Sequence, residues 1–339
     1  MTHDDIVDVT IIGGGPAGLA AAYYAGHRNL SVRLLESLEQ LGGQPSAVYP
    51  EKHVFDVAGF PKINAQGFVD RMVEQGLQFD AAVELGVDIQ TLEREPVADE
   101  PLGEVLVVGT ADGRRFRSRT LIISAGHGAF EPRTLDVEGL ESWRGRGLHY
   151  FVNPKSAFAE KRCVIIGGGD SALDWTINLQ DTAAGPIHLV HRRDAFRGLE
   201  STLDHVRQLE REGAATIHTP YELVGVEGNG HLEAIVLEHA KTKEVRRIEC
   251  DALILQLGFI SRLGPMGEWG FEVHGKKQVA VTPNTMETNL PNVFAIGDFA
   301  WYDGKITLIT IGLGEAAIAA NNCVARIRGE KLQPKYSTE

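Results

Sequence analysis

Val9-Thr10-Ile11-Ile12-Gly13-Gly14-Gly15-Pro16-Ala17-Gly18-Leu19-Ala20-Ala21-Ala22-Tyr23-Tyr24 opens the first regular unit of the chain. The β-branched apolar run over residues 8–12 ends at a G-x-G-x-x-G turn, with Gly13, Gly15 and Gly18 at its glycine positions and Ala17 before the last of them. Residues 17–24 then read as a helix. Its first-turn N–H groups have no acceptor within the helix and carry the positive end of its dipole, so they form a receptor for a pyrophosphate. A second strand over 31–35 ends at Glu36, twenty-three residues after Gly13, where a carboxylate accepts hydrogen bonds from ribose hydroxyls. Strand, turn, helix, strand and acid together predict a dinucleotide-binding unit.

A chain of 339 residues is long enough for two such domains, each with its own core. Its 43% apolar and 23% charged residues fit a soluble globular enzyme. The net charge of −13 argues against nucleic acid or an anionic membrane as a general partner. No run approaches the roughly 18 apolar residues that span a bilayer. Met1-Thr2-His3-Asp4-Asp5 lacks the basic start and apolar core of a secretory signal, and a cytoplasmic location is expected. Cys163, Cys250 and Cys323 lie far apart without a C-x-x-C pair, so neither a dithiol centre nor a metal site is predicted, and packing is their expected role.

Beyond Glu36, Gly and Pro cluster with embedded aromatics over 41–61, as in a structured loop that meets a ligand. Tyr49 there either stacks on a flat ring or, with Phe60, anchors the loop in the core. Helical spacing covers 64–85, and a strand begins in 86–92. Residues 105–110 and 117–124 read as a hairpin leading into a central strand, and the Gly/Pro-rich 127–133 as a crossing between domains, with His127 a turn residue.

A second unit follows. Residues 163–166 form its strand and Gly167-Gly168-Gly169-Asp170-Ser171-Ala172 a G-x-G-x-x-A turn into a helix over 171–179. The next strand, 187–190, runs into His191-Arg192-Arg193, with Arg197 four residues on. Arginines stand where the first unit has Glu36. Guanidinium groups bind the 2′-phosphate of NADP, which a carboxylate repels, although such a cluster is also common on a solvated face. His188 and His191, at i, i+3 on a strand, fall on opposite faces and are no metal pair. Three alternating segments, 221–226, 232–239 and 245–248, predict a meander, followed by an apolar strand from 252 and a return crossing at 258–260. Asp298 closes another apolar strand, as a ribitol or ribose ligand or as a helix cap, before a final helix over 314–327.

Two dinucleotide units, the second inserted in the first, with a late Gly297-Asp298 pair, resemble the two-dinucleotide-binding-domain flavoproteins, and the thioredoxin-reductase-like branch in particular, over essentially the whole chain. The resemblance implies an α/β fold of two Rossmann-like three-layer domains. An FAD domain would comprise 1–126 and 259–339, and an NADP domain 127–258. FAD would then lie on Gly13, Gly15, Ala17, Gly18, Glu36 and Asp298, and NADP(H) on Gly167, Gly169, Asp170, Ser171, Ala172, Arg192, Arg193 and Arg197.

Thioredoxin reductases carry a C-x-x-C before the second glycine turn. The corresponding stretch here, Tyr150-Phe151-Val152-Asn153-Pro154-Lys155-Ser156, has no cysteine, so electrons cannot leave through a thiol pair. That loss, with Tyr49-Pro50-Glu51-Lys52, 56–61 and a tail beyond the last helix, is similar to the ferredoxin-NADP reductases of thioredoxin-reductase-like type. This implies a homodimer whose flavin is sandwiched between Tyr49 and Tyr336, with Gln44, Ile89, Phe130 and Thr338 as further contacts. It also implies ferredoxin or flavodoxin as partner and no side-chain acid or base, because the flavin supplies the chemistry. Lys155, Lys161, Arg162, Arg144 and Arg146 are candidates for a local basic docking patch. The competing readings are an NADPH reductase of a separate disulfide protein or quinone, and a non-enzymatic flavin redox sensor.

Overall fold

The computed structural model describes residues 5–126, 128–152, 154–275 and 277–329, without the side chains of 129–131 and 259–262. The described chain divides into two compact units, one formed by residues up to Phe130 and from Ser261 onward, the other by Glu131–Ile260. The two crossing segments, Ala129–Pro132 and Phe259–Arg262, are short strands that pair with each other.

The first unit is built on a seven-stranded sheet. Val7–Ile12 lies at its centre, parallel to Val32–Leu35 on one side and to Arg115–Ile123 on the other. Arg115–Ile123 changes partner along its length: residues around 115–118 pair antiparallel with Glu104–Thr110, and 121–123 pair parallel with Val293–Ala295. These central strands are buried on both faces, which is why they read as near-continuous apolar runs.

Three helices cover one face: α1 (Pro16–His27), α3 (Ala65–Gly76) and α6 (Ile309–Arg328), with the short α2 (Gly43–Ala47) inside the Gly/Pro-rich loop. Alanines on α1 and α6, among them Ala20, Ala21, Ala316, Ala319 and Ala320, share one buried cluster. Small side chains let the two helices approach closely at interior packing density. α3 is shorter than the helix predicted over 64–85. It starts at Asn64, whose side chain accepts from Gln66 N–H and Gly67 N–H, and ends at Gly76. Asp80 then takes a left-handed conformation (φ 55°), and Ala82–Glu84 adds a parallel edge strand beside Val32–Leu35. α6 begins at Ile309, ahead of the predicted start at 314, because Gly312 and Gly314 stand inside the helix.

The second unit has a five-stranded parallel sheet in the order Leu148–His149, Ala252–Leu255, Cys163–Ile166, Ile187–Val190, Ala215–His218. Alternation along Cys163–Ile166 sends Cys163 and Ile165 to the face covered by α4 (Asp170–Leu179) and α5 (Glu200–Arg211). Val164 and Ile166 go to the face covered by the antiparallel meander Tyr221–Gly228, Leu232–His239 and Val245–Glu249. Helix layer, parallel sheet and meander make a three-layer α/β unit, and the protein is two Rossmann-like units with the second inserted in the first.

Candidate functional site

The turn between Val7–Ile12 and α1 is held by contacts that leave no room for side chains. Gly13 has φ +101°, and its N–H donates to Leu35 O at 2.8 Å. A Cβ on Gly18 would lie 1.9 Å from Gly13 O, so the third glycine is what lets helix and strand meet. The Ser124 hydroxyl, at the end of the neighbouring strand, donates to Ile12 O (2.9 Å) and Gly13 O (2.8 Å). Gly15 is the N-cap of α1 with no side chain capping it, and Pro16 follows in the first helical turn. Opposite it, Gly42 and Gly43 take positive φ (114° and 60°), and Gly42 N–H donates to Gly14 O at 2.8 Å. Two bare backbones thus face each other beside an uncapped helix N-terminus, a geometry that fits a pyrophosphate.

Glu36 reaches this turn. It is buried, and its Oε2 accepts Gly14 N–H at 2.6 Å while Oε1 accepts Leu38 N–H at 2.9 Å and the Ser37 hydroxyl at 3.1 Å. A carboxylate offers about four acceptor positions, so its orientation is fixed while acceptor capacity remains for a ribose hydroxyl. Gln44, on α2, brings its Nε2 close to Gly126 at the end of the central strand. Ile89 opens the strand Ile89–Pro96 and packs on the core cluster that includes Ile12 and Ile123.

Asp298 lies in the 3₁₀ turn Gly297–Phe299, against the same helix N-terminus. Gly297 has φ +65°, and a Cβ there would sit 3.2 Å from Ala17 Cβ. Helix capping by Asp298 is not what the structure shows: Ile296 caps this turn and Leu308 caps α6. Tyr49 is half-buried and packs, like Phe60, against the cluster around α1. Its phenol is pushed up to about 12 by burial first and then by the charges of Asp298 and Asp56, so the early loop and the late turn lie within electrostatic reach of each other. The Phe130 side chain, Tyr336 and Thr338 lie outside the described residues.

In the second unit Gly167 N–H donates to Val190 O at 3.0 Å, and a Cβ on Gly167 would meet Gln256 O at 2.4 Å. Gly169 is the N-cap of α4 with no side chain capping it and open space where a Cβ would be. Asp170 fastens the following loop, its Oδ1 accepting Leu199 N–H at 2.8 Å, while Arg197 N–H donates to Gly168 O at 2.7 Å. Ser171 is exposed and Ala172 buried against the turn. The loop therefore returns to the glycine turn, carrying exposed Arg192, Arg193 and Arg197. Among the described residues none of the three is paired with a carboxylate; the intervening Asp194 is bound by Lys241 at 3.1 Å. All three charges bear on buried His191, whose imidazole is lowered by desolvation first and then, against a hydrogen bond with the Ala195 backbone, by Arg197, Arg192 and Arg193. Guanidinium groups without a carboxylate partner on a loop beside a helix N-terminus fit a phosphate dianion.

Two features escape sequence reading. His188 does not face His191; its Nδ1 lies 2.9 Å from Nε2 of His218 on the adjacent strand, with the rings stacked at 5.2 Å. The described residues contain no cluster of three or more His, Cys, Asp or Glu that could hold a metal. The other is Glu315 on α6, buried and bonded to Gly297 N–H at 2.8 Å, to the Tyr302 hydroxyl at 2.8 Å and to Lys305. The three cysteines are buried and unpaired, and burial is the leading cause that pushes Cys163 up to about 11 and Cys250 and Cys323 up to about 12. Such thiols are neither nucleophiles nor a dithiol.

Both glycine turns and their acidic and basic strand ends define a protein that handles two dinucleotides. Residues 7–317 match the pyridine nucleotide-disulphide oxidoreductase family, and the chain belongs to it. It is 43% identical over 337 residues to a ferredoxin–NADP reductase 2 of Bacillus cytotoxicus, covering 99% of this chain and 98% of that one. A ferredoxin–NADP reductase of Thermus thermophilus is 43% identical over 336 residues, with 99% and 97% covered. In three dimensions the chain is similar to the thioredoxin reductase of Lactococcus lactis, with TM-score 0.78 at 23% identity over 96% of this chain and 100% of that one, a likeness of fold.

Proposed function

We propose that the protein is an FAD-dependent ferredoxin– or flavodoxin–NADP reductase. The observation that carries the reading is a pair of glycine turns together with three buried free thiols, each pushed up by burial: protonated, enclosed thiols are poorly suited to pass on electrons that arrive from NADPH. The full-length similarity to proteins named ferredoxin–NADP reductase supports the same conclusion. Its cofactors are FAD and NADP(H). FAD, when bound, would supply the chemistry: hydride acceptance from NADPH and single-electron release.

The chain's own residues bind and orient. The turn at Gly13, Gly15, Ala17 and Gly18 receives the FAD pyrophosphate, Glu36 the adenosine ribose and Asp298 the ribityl side. When FAD is bound, Tyr49 would stack on the flavin with Gln44 and Ile89 beside it; Tyr336 and Thr338, together with the Phe130 side chain, lie outside the described residues and are the remaining candidate contacts in a homodimer. Gly167, Gly169, Asp170, Ser171 and Ala172 form the NADP pyrophosphate turn, and Arg192, Arg193 and Arg197 hold the 2′-phosphate. FAD belongs to the unit containing both chain ends and NADP to the inserted unit. Of the docking candidates, Lys155 and Arg162 are bound to Asp181 and Asp251, each at 2.7 Å. Lys161, Arg144 and Arg146 lie over aromatic rings and carry the patch.

The deciding experiment compares NADPH-driven reduction of purified ferredoxin with that of thioredoxin. Rapid ferredoxin reduction beside negligible thioredoxin reduction is expected; the reverse order would overturn the assignment in favour of a disulfide reductase.

A further inference from the structure

Glu315 and Lys305 form an ion pair whose side chains are only 3% and 4% exposed, the most enclosed pair among the described residues. A buried pair contributes little net stability against apolar residues of the same volume, because desolvation offsets the attraction. Its geometry is what calls for an explanation. Both carboxylate oxygens are committed: Oε2 accepts Gly297 N–H at 2.8 Å, and Oε1 accepts the Tyr302 hydroxyl at 2.8 Å and the Lys305 ammonium. Tyr302 remains a donor, since burial first and the Glu315 bond second push its phenol up to about 12. The carboxylate is thereby fixed from the loop side and grips the left-handed residue that immediately precedes Asp298.

The far side of the same turn is held as well. Gln278 Nε2 donates to Asp298 O at 3.2 Å and to Ala300 O at 3.4 Å. α6 meets the turn at Gly312, where a Cβ would lie 3.3 Å from Gly297 Cα and 3.4 Å from Ala17 Cβ. Helix, turn and the start of α1 thus converge with only the Ala17 methyl between them, and Glu315 is the charged group that ties helix to turn.

We propose that Glu315, locked by Lys305 and Tyr302, is a positioning residue that sets the Gly297–Asp298 turn and so governs how tightly FAD is held; this rests on the reading of Asp298 as a flavin-side contact. The test measures release of FAD from purified full-length holoenzyme, by recovery of flavin fluorescence after dilution, beside the melting temperature. Two paired variants remove the charges together: Lys305→Met with Glu315→Met, which leaves Gly297 N–H without an acceptor, and Lys305→Met with Glu315→Gln, which keeps one.

Release faster by about tenfold or more is expected for the methionine pair, and within about threefold of the parent for the glutamine pair. Equal release from both pairs overturns the proposal. If the methionine pair does not fold, Glu315→Asp alone decides, because it keeps the charge beside Lys305 but withdraws the carboxylate from Gly297 N–H: faster FAD release, measured well below the variant's melting temperature, sustains the positioning role, and parental release overturns it. Asp298→Ala separates the two readings, because parental FAD release in that variant removes the cofactor assignment itself.

Discussion

Arg192, Arg193 and Arg197 are the residues whose placement was most legible in sequence, because it depends on where a strand ends and not on distant packing. Their charges act together on His191 and have no carboxylate partner among the described residues. Arg193→Ala or Arg197→Ala should raise KM for NADPH far more than for NADH, each charge-assisted contact being worth about 1.5–3 kcal/mol. Steady-state kinetics with both nucleotides checks this; equal effects would remove the 2′-phosphate assignment. The glycines were legible for the same reason, since Gly13 and Gly18 are demanded by a turn that local sequence defines. Glu315 and Lys305 were not. An acid in an alanine-rich helix and a lysine in a polar loop read as surface residues until α6 and the Gly297 turn are folded together. Asp170 was legible only as part of the second turn; that its carboxylate fastens the loop at Leu199 depends on a chain reversal no local pattern encodes.

Strands and helices were read well where periodicity is local and less well where a neighbour decides. Residues 77–85 carry helical spacing, yet Ala82–Glu84 pairs with Val32–Leu35 because the open sheet edge offers more backbone bonding than continued helix. Phe79 packs instead against Tyr23 and His27 of α1. The His188–His218 contact also belongs to the pairing of two elements, Ile187–Val190 with Ala215–His218. His218 is buried and lowered to about 4, by desolvation first, then by His188 and Arg246, and Tyr221 meets its ring edge-on. A folded-state value below the unfolded one means that the unfolded chain binds the extra proton. Stability is therefore intact above about pH 6.5 and declines as pH falls toward 4. His218→Gln should flatten that decline by an amount on the order of 2–3 kcal/mol. Urea unfolding of variant and parent across pH 4–7 measures it, and parallel curves would show that the pair does not titrate on unfolding.

At the scale of the molecule, the proposed function would bring a chain of net charge −13 against an acidic electron carrier despite long-range repulsion, and a local basic patch would then steer the encounter. Ferredoxin reduction should slow steeply with added salt, given a screening length of about 8 Å at 0.15 M. Arg144→Ala with Arg146→Ala should slow it further and flatten the salt dependence, whereas Lys155→Ala, which removes a charge already paired with Asp181, should change little. Stopped-flow rates over a salt series test both statements; a rate indifferent to salt would remove the patch. The insertion of one unit in the other was legible because two glycine turns, a Gly/Pro-rich crossing at 127–133 and Gly258 at the return crossing punctuate the chain.

The cysteines have a practical consequence. Cys163 and Cys250 lie in one unit and Cys323 in the other, all buried and all protonated at neutral pH. To a maleimide reagent the native protein is therefore a nearly silent background. A single cysteine introduced on the surface of each unit will take a fluorophore without first stripping the natural thiols, so the distance between the units can be followed by energy transfer while NADPH is turned over.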